Sequence, residues 1–401
     1  MTSTNSDRCK PRVLVVTRNL PPLLGGMERL NWHMIDELGR DAEVHVVGPD
    51  EAGGQAPKAA HYHPARLRPT WRFLIEATLS AARIARRYRP QVVLAGSGLT
   101  APIALLAARL CGARAVTYIH GLDITTHNPV YRAIWLPAIR RMDAVIANSR
   151  STREFAVEAG VQPDRLFLVF PGAKTPIADF PSDRLRALRD RLQLGERRIL
   201  ISVGRLTARK GLLEFVREAL PRVVARYPDT LLLIVGDAPK DALHAHAHAQ
   251  TPESIQAAAE GAGIAEAVRF IGPITDLEEL CVAYQVAEAH LFPVRSIPGD
   301  SEGFGMVAIE AAVNGTPTVA FATGGIVDAV ADGASGYLVQ PHDYERLADS
   351  IVRVLETPGE LRDTCRQHGQ KFSWRRFGRE VHQALFPTDA PHDAPSVKRT
   401  P

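Results

Sequence analysis

The stretch Glu302-Gly-Phe-Gly-Met-Val-Ala-Ile-Glu310 places two carboxylates eight positions apart around a Gly-Phe-Gly turn. The turn follows the short apolar run Ala289–Phe292 and opens an alanine-rich helix that we predict over Gly305–Val313. A buried strand, a turn and a helix in this order form the repeating unit of a parallel sheet. Because the turn separates the two carboxylates, Glu302 is expected in the loop and Glu310 about a turn and a half into the helix.

The same order of strand and helix recurs along the chain. Apolar runs such as Val13–Thr17, Val92–Ala95 and Ala144–Ala147 alternate with helical patterns, and the alternation restarts at Ile199–Val203. One uninterrupted helix is predicted over Leu212–Arg226. Continuous apolar strands separated by helices predict an α/β fold with two doubly wound, Rossmann-like domains facing a central cleft. Ligands of such sheets bind at the carboxyl ends of the strands.

Size and composition limit the class of protein. A chain of 401 residues favours two domains over one. No apolar run approaches the ~20 residues that cross a bilayer, and Met1–Lys10 lacks the apolar core of a signal peptide. The cysteines are scattered without CxxC spacing, which disfavours a zinc site or a disulfide framework. A cytoplasmic location is therefore expected.

The charge is distributed unevenly. Residues 1–175 carry 23 Lys and Arg against 14 Asp and Glu, whereas the remainder carries 25 against 30. Arginines are densest between Arg66 and Arg89. Two interpretations stay open: a solvated helix face, or contact with anionic lipid headgroups or a lipid-diphosphate acceptor, which would make the protein peripheral on the inner face of the cytoplasmic membrane. Nucleic acid is disfavoured because no aromatic-interleaved basic motif accompanies the charge.

A second glycine-containing loop, Gly204-Arg-Leu-Thr-Ala-Arg-Lys-Gly211, follows the apolar run Arg198–Val203. Arg205 and Lys210 would project from the end of a strand, where a guanidinium and an ammonium can bind the oxygens of a diphosphate. A solvated basic loop is the alternative. No Asp-x-Asp metal-ligand pair is present, and Asp300-Ser-Glu302 comes closest. The sequence therefore predicts no metal and no cofactor beyond a nucleotide-sugar substrate.

The Gly303-Phe304-Gly305 turn lets the backbone approach a ligand closely. The helix beginning there would direct the N–H groups of Gly305, Met306 and Val307 at phosphates or at a sugar ring. Glu302 would then reach hexose hydroxyls, and Glu310 would bind a ribose diol. The rival interpretation is a pair of acid and base carboxylates, as in a glycoside hydrolase.

Weaker signals occur at other predicted strand ends. Gly25 and Gly26 follow the first strand and open a helix, and Gly272 ends a strand where a nucleobase could lie. Each could equally be a structural turn. This glycine pattern is not a GxGxxG fingerprint, so a dinucleotide cofactor is disfavoured. Thr323-Gly-Gly-Ile326 is a further glycine-rich turn.

His120 ends the strand Ala115–Ile119 next to a glycine, so its ring could reach a sugar hydroxyl or steady the acceptor. Asp123 is a candidate on the same acceptor side. His244, His246 and His248 have the appearance of a metal-binding tract, but a solvated segment is the expected reading in an alanine-rich stretch.

Taken together, these motifs resemble family-4 retaining glycosyltransferases of the GT-B fold along nearly the whole chain. Five stretches match in the family's order: Pro21–Glu28, Tyr118–Asp123, Gly204–Gly211, Glu302–Glu310 and Thr323–Val339. The resemblance implies that Arg205 and Lys210 bind the donor diphosphate. It also implies that Glu310 binds the ribose, that Glu302 binds the transferred sugar, and that His120 lies near the reacting hexose.

Composition and the resemblance together imply a domain arrangement, in which the junction and the tail are predicted from segments rich in proline and polar residues. Residues 1–175 would form the acceptor-side domain and residues 176–372 the nucleotide-sugar domain, with a junction near Pro171–Pro181. The final helix, residues 373–386, would pack back on the first domain, and residues 387–401 would form a disordered tail. One departure is Lys174, at a position that is acidic in many relatives. A second is Gly236-Asp-Ala-Pro239, which lacks the more usual second glycine.

The expected activity is transfer of a hexose, with mannose favoured, from a nucleotide diphosphate sugar to a glycan or lipid-linked glycan of cell-envelope synthesis, such as lipopolysaccharide. GDP-sugars are slightly favoured over UDP-sugars. The alternatives are a sugar-nucleotide epimerase of the same fold and a non-catalytic protein that binds nucleotide sugars.

Overall fold

The computed structural model describes residues 10–23, 25–174, 179–238 and 250–387. Over these residues the chain forms two parallel sheets, each packed between helices. The predicted fold class, α/β with two Rossmann-like domains, is confirmed. The histidine tract 244–248 and residues 388–401 of the predicted tail lie outside the described residues.

The first sheet has seven parallel strands among the described residues, in the order β3-β2-β1-β4-β5-β6-β7. Strands β1 to β7 are Arg12–Val16, Glu43–Pro49, Ala60–Ala65, Val92–Ala95, Arg114–Ile119, Ala144–Ala147 and Leu166–Leu168. Helices α1 to α6 are Gly26–Asp41, Thr70–Tyr88, Ala101–Cys111, Gly121–Thr125, Pro129–Arg140 and Arg150–Glu158.

The second sheet has six parallel strands in the described part of the chain, in the order β10-β9-β8-β11-β12-β13. Strands β8 to β13 are Arg198–Val203, Thr230–Val235, Val268–Gly272, Ala289–Phe292, Thr318–Phe321 and Gly336–Val339. Helices α7 to α16 are Ser182–Arg191, Leu212–Glu218, Leu220–Arg226, Pro252–Gly261, Leu277–Val286, Met306–Val313, Ile326–Ala329, Tyr344–Glu356, Arg362–Gly369 and Trp374–Leu385.

The central strands are buried on both faces, which explains their unbroken apolar sequence. In β1, Val13 and Val15 belong to the hydrophobic core on one face of the sheet, whereas Leu14 and Val16 belong to the core on the other. The side chains of β8 alternate in the same way, with Leu200 in the core on one face of the second sheet and Ile201 in the core on the other.

The prediction of one helix over Leu212–Arg226 was wrong. Helix α8 ends at Glu218, and α9 begins at Leu220 with Pro221 in its first turn. Proline has no N–H to donate and crowds the preceding turn, so the continuous helix is interrupted there. The short edge strand β3 was not predicted, because its sequence, Ala-His-Tyr-His-Pro-Ala, lacks an apolar run.

The final helix α16 leaves the second domain and packs on α1 of the first. Phe377 and Val381 join the core that contains Met34 of α1. The helices approach so closely at Gly378 that an added Cβ would lie 2.5 Å from Cβ of Glu37. Trp374 stacks on His33 with ring centroids 4.0 Å apart.

Both sheets reverse their strand order at their centre, between β1 and β4 in the first and between β8 and β11 in the second. The loops after these strands carry most of the residues singled out in the sequence. In α/β sheets, the crevice at such a reversal is where ligands bind. No helix in the described ranges is long and apolar enough to cross a membrane.

Candidate active site

The loops after β8 and β11 are joined, and together they form the base of the site. The backbone N–H of Arg295 donates to the carbonyl of Arg209 at 2.8 Å. Gly211 has a φ of 70°, and a Cβ there would lie 2.1 Å from the carbonyl oxygen of Pro293. Only glycine satisfies both requirements at this position. The two loops therefore hold Lys210 and Glu302 in fixed relative positions.

Glu302 lies between two largely buried cations. Nζ of Lys210 is 2.9 Å from its Oε2, and the guanidinium of Arg209 contacts the same oxygen. Arg209 also forms a 3.0 Å salt bridge with Asp300. The ammonium of Lys210 lies 4.5 Å from the centre of the Phe292 ring, which adds a cation–π contact.

The ionisation of this group follows from burial and charge. Burial by itself raises the pKa of Glu302, but Arg209 and Lys210 outweigh it and bring the pKa to about 2. Burial lowers the pKa of Lys210, and Glu302 opposes that effect. Glu302 is therefore an ionised hydrogen-bond acceptor near neutral pH and a poor proton donor.

Arg209 was missed by the sequence reasoning, which chose Arg205 as the diphosphate-binding arginine. Arg205 is exposed, although it lies close enough to Lys210 to lower the pKa of that ammonium. Arg209 directly precedes Lys210 in the sequence, so the signal was the pair of adjacent cations. The loop therefore presents three positive charges at one strand end.

The glycine turn is shaped by its neighbours. Gly305 has a φ of 90°, and an added Cβ would lie 2.8 Å from the Phe292 ring. The N–H of Gly325 donates to the carbonyl of Glu302 at 3.0 Å, so the Thr323–Ile326 turn supports the Glu302 loop. Phe304 is 2% exposed and packs between Phe170 and Phe372. Its side chain therefore faces the core, and a donor-binding role for Phe304 stays a prediction about its backbone. Met306 and Val307 are the first two residues of α12, directly after the turn, as predicted from the sequence.

The first domain faces this turn with the start of α4. A Cβ at Gly121 would lie 3.1 Å from the carbonyl oxygen of Ser301 and 3.4 Å from Cα of Gly303. The ring of His120 is buried and bonded to the backbone of Gly96, while its Nε2 has no hydrogen-bond partner among the described residues. Burial lowers the pKa of His120, so the ring is neutral and has one nitrogen available.

The Asp123 carboxylate forms hydrogen bonds with groups close to it in the sequence. Its Oδ2 accepts the backbone N–H of His120 at 2.9 Å, and its Oδ1 lies 3.4 Å from the hydroxyl of Tyr131. The carboxylate therefore fixes the turn that carries His120. Its predicted role toward the acceptor stays a prediction.

Glu310 lies where α1 and α12 meet across the cleft. Its Oε1 forms a 2.7 Å salt bridge with Arg29, and its Oε2 is buried without a partner in the described structure. Burial raises the pKa of Glu310, and Arg29 only partly offsets this. Sequence reasoning also missed Arg29, since nothing in the spacing shows which residues of the other domain face α12.

The remaining predicted glycines are distributed around the cleft. A Cβ at Gly26 would lie 3.4 Å from the sulfur of Met306, so the first turns of α1 and α12 face each other. Gly25 adjoins the carboxylate of Glu28, which accepts a 2.8 Å hydrogen bond from Asn19. Gly272, with a φ of 71°, ends β10, and its carbonyl accepts the N–H of Gly236 at 2.9 Å.

The cleft is closed in this structure. Arg150 and Asp328 join the domains through a 2.9 Å salt bridge and a 2.7 Å backbone hydrogen bond. The concavity beside Arg29 and Glu310, which Lys174 also lines, has a volume of about 40 Å³. Sites for small molecules occupy about 300–1,000 Å³, so this concavity is much smaller than such a site.

The fold and the site define the class of protein. Two Rossmann-like domains face each other through glycine turns, fixed cations and buried carboxylates, which is the arrangement of a GT-B glycosyltransferase. A family model described as "Glycosyltransferase Family 4" matches residues 24–175, and one described as "Glycosyl transferases group 1" matches residues 186–372. The chain belongs to the family-4 glycosyltransferases, and the resemblance seen in the sequence is confirmed.

Known proteins support this assignment. The chain is 33% identical over 362 residues to the GDP-mannose-dependent alpha-(1-6)-phosphatidylinositol monomannoside mannosyltransferase of Mycolicibacterium smegmatis, covering 86% of this chain and 90% of that protein. It is 31% identical to the D-inositol 3-phosphate glycosyltransferase of Corynebacterium aurimucosum, covering 65% of this chain and 61% of that one. The structure of Anabaena HepE with UDP and glucose superposes with a TM-score of 0.76 at 17% identity, covering 94% and 99% of the chains.

Proposed function

We propose that this glycosyltransferase transfers mannose from GDP-mannose to a lipid-linked glycan, with retention of configuration and without a metal ion. The mannose and the GDP come from the printed activity of the mycolicibacterial relative, which aligns with most of the chain. The lipid-linked acceptor rests on that activity and on the charge of the first domain. Retention rests on the family resemblance.

The observation that carries the proposal is the cluster of three cations on the loop after β8. Lys210 and Arg209 are largely buried and contact Glu302 next to the glycine turn, and Arg205 is exposed on the same loop. A departing nucleoside diphosphate develops negative charge that must be stabilised. Fixed ammonium and guanidinium groups can provide this stabilisation in place of a divalent ion.

The reaction then needs no nucleophile from the protein. The bond between the anomeric carbon and the diphosphate oxygen breaks, and the acceptor hydroxyl oxygen forms a bond to that carbon from the same face. The acceptor proton passes to the departing phosphate. Glu302 accepts a hydroxyl hydrogen bond from the sugar, Glu310 binds the ribose, and closure of the domains excludes water.

The decisive experiment is donor hydrolysis without acceptor across GDP-, UDP- and ADP-sugars, with and without EDTA, followed by mass spectrometry. We expect slow release of GDP from GDP-mannose that EDTA does not change. Loss of release in EDTA would overturn metal independence. Release from a UDP-sugar alone would overturn the choice of donor.

The same assay separates the alternatives. An epimerised nucleotide sugar formed without acceptor would identify an epimerase. Tight binding without turnover, even when lipid acceptors are added, would identify a nucleotide-sugar-binding protein. With an acceptor present, the anomeric proton signal of the product in NMR distinguishes retention from inversion.

We further propose that the first domain binds an anionic membrane surface. Trp71, Ile75 and Leu79 lie four residues apart along α2 and are 64%, 54% and 61% exposed. This apolar stripe is followed on the same helix by exposed arginines at positions 83, 86 and 87. Apolar side chains that enter the interface and cations that contact anionic headgroups are the two parts of a peripheral membrane site. Such a surface would bring a lipid-linked acceptor to the cleft.

A further inference from the structure

Four side chains able to bind a metal lie together at the first sheet, outside the cleft. Glu43 and His45 are in β2, and His61 and His63 are in β3. His45 is the register partner of His61 in this parallel pair. Because alternate residues of a strand point to the same face, all four side chains project from one face of the sheet.

Direct contacts link the four side chains. Nε2 of His45 lies 3.2 Å from Oε1 of Glu43, and Nδ1 of His45 lies 3.2 Å from Nε2 of His63. The rings of His45 and His61 are stacked with centroids 4.8 Å apart. One potential ligand atom from each of Glu43, His45 and His61 falls within 4.8 Å of the other two.

The cluster has a fixed inner part and an adjustable outer part. His45 is 3% exposed and packs against the Tyr88 ring at the end of α2, with centroids 4.2 Å apart. Glu43 is partly exposed, and His61 lies on the surface.

Two imidazoles and a carboxylate are a recognised zinc-ligand set that leaves a fourth position for water. With bonds of about 2.0–2.1 Å, neighbouring ligand atoms of a tetrahedral zinc ion are about 3.4 Å apart. The separation of 3.2 Å between Glu43 and His45 is close to that value. His61 is exposed, so its ring can turn to close the remaining distance.

His63 supplies the supporting interaction that such sites commonly have. A metal-bound histidine usually donates its second ring N–H to an acceptor, which fixes its tautomer. If Nε2 of His45 binds the ion, Nδ1 carries the proton and can donate it to Nε2 of His63, 3.2 Å away. The neighbouring histidine is thus placed for this second role.

We propose that Glu43, His45 and His61 bind one divalent transition-metal ion of the zinc class, with water as the fourth ligand and His63 as the acceptor behind His45. In the described part of the chain, strand β3 is the edge of the sheet and pairs only with β2. An ion bridging β2 and β3 would hold this edge in place. Glu43 and His61 lie near the amino ends of their strands, whereas the sugar-transfer groups follow the carboxyl ends, so the ion takes no part in the transfer.

The test is a Zn²⁺ titration of the whole metal-free 401-residue chain, measured by calorimetry and by thermal unfolding. The histidine tract of the second domain could also bind zinc, so the variant H244A/H246A/H248A serves as the background. We expect one zinc ion per chain in this background, with a rise in Tm. His63→Ala should weaken binding by about 10- to 100-fold, the usual effect of losing a supporting partner.

His61→Ala and Glu43→Gln, made in the same background, should weaken zinc binding by more than His63→Ala does and remove the rise in Tm. Both positions are at least partly exposed, so these variants keep the buried His45 in place. Zinc binding that is unchanged in both variants would overturn the proposal. Loss of all binding in the H244A/H246A/H248A background would overturn it as well. No sugar donor is used, so these outcomes are independent of the proposed transfer activity.

Discussion

Arg205 and Arg209 lie on one loop but have different surroundings. Arg209 is largely buried against Glu302 and Asp300, whereas Arg205 is exposed. The sequence predicted a loop with Lys210 at the end of a strand, and the structure places that loop after β8 with Lys210 beside Glu302. The sequence could not show which arginine turns inward, since that depends on the Asp300–Glu302 segment, about ninety residues further along.

Substitution of the two arginines should therefore have different effects on folding. Arg209→Gln removes a charge-assisted bond to a buried carboxylate, worth about 1.5–3 kcal/mol, and should lower the Tm. Arg205→Gln should leave the Tm unchanged. Both should lower kcat/KM for the donor, by about 10- to 100-fold for Arg209→Gln. Thermal unfolding measures the Tm, and steady-state kinetics measure kcat/KM. Equal Tm values for the two variants would contradict the burial of Arg209 and the exposure of Arg205.

The two carboxylates of the glycine turn should respond oppositely to pH. The pKa of Glu302 falls from 4.5 to about 2 on folding, which contributes about 3 kcal/mol above pH 4.5 that is lost as the pH falls toward 2. Burial raises the pKa of Glu310, so the stability linked to this group is lost as the pH rises above 4.5. Urea unfolding from pH 3 to pH 7 tests this. Relative to wild type, Glu302→Gln should become less stable with rising pH and Glu310→Gln more stable. If the stabilities of the two variants relative to wild type changed in the same direction with pH, the opposite pKa shifts assigned to Glu302 and Glu310 would be wrong.

At the scale of elements, the strongly apolar strands and the amphipathic helices were predictable and the marginal elements were not. Strands β4 and β6 have the predicted bounds because their apolar runs are continuous, and α12 begins one residue after its predicted start. Within the described residues, strand β3 pairs on one side only and has two histidines and a proline, so its pairing depends on β2 rather than on its own sequence. Its histidines acquire a possible role only when β2 is placed beside them.

Helix α2 provides a prediction at this scale. The double variant Ile75→Glu/Leu79→Glu places charges in the exposed apolar stripe and should lower affinity for vesicles containing phosphatidylglycerol by at least about tenfold, since each buried aliphatic side chain contributes ~1–2 kcal/mol. Val157→Glu is the matched control, because Val157 is exposed on α6 of the same domain. Vesicle flotation measures the affinity of each variant for these vesicles. Equal losses in the two proteins, or no preference for anionic vesicles, would contradict a membrane surface on α2.

At the scale of the molecule, the sequence implied two domains and a cleft but not the contacts that join them. Arg29 pairs with Glu310, and Arg150 pairs with Asp328, across separations that no local pattern encodes. The Arg29–Glu310 pair engages a group of the proposed donor site, whereas Arg150 and Asp328 lie outside that site. Since the concavity beside Glu310 is only about 40 Å³, we expect donor entry to break the Arg29–Glu310 contact.

Asp328→Asn tests whether the contact between domains controls opening. The Asp328 carboxylate is buried and accepts two hydrogen bonds from Arg150, so its loss should raise the open population by about 10- to 100-fold, the equivalent of 1.5–3 kcal/mol. Small-angle X-ray scattering should show a larger radius of gyration without donor and recovery of the compact form with GDP-mannose. Glu345→Gln is the control, because it breaks an exposed salt bridge between Glu345 and Arg222 within the second domain. Unchanged scattering from Asp328→Asn would show that this pair does not hold the cleft closed, and the Arg29–Glu310 pair at the donor site would then be the contact to break next.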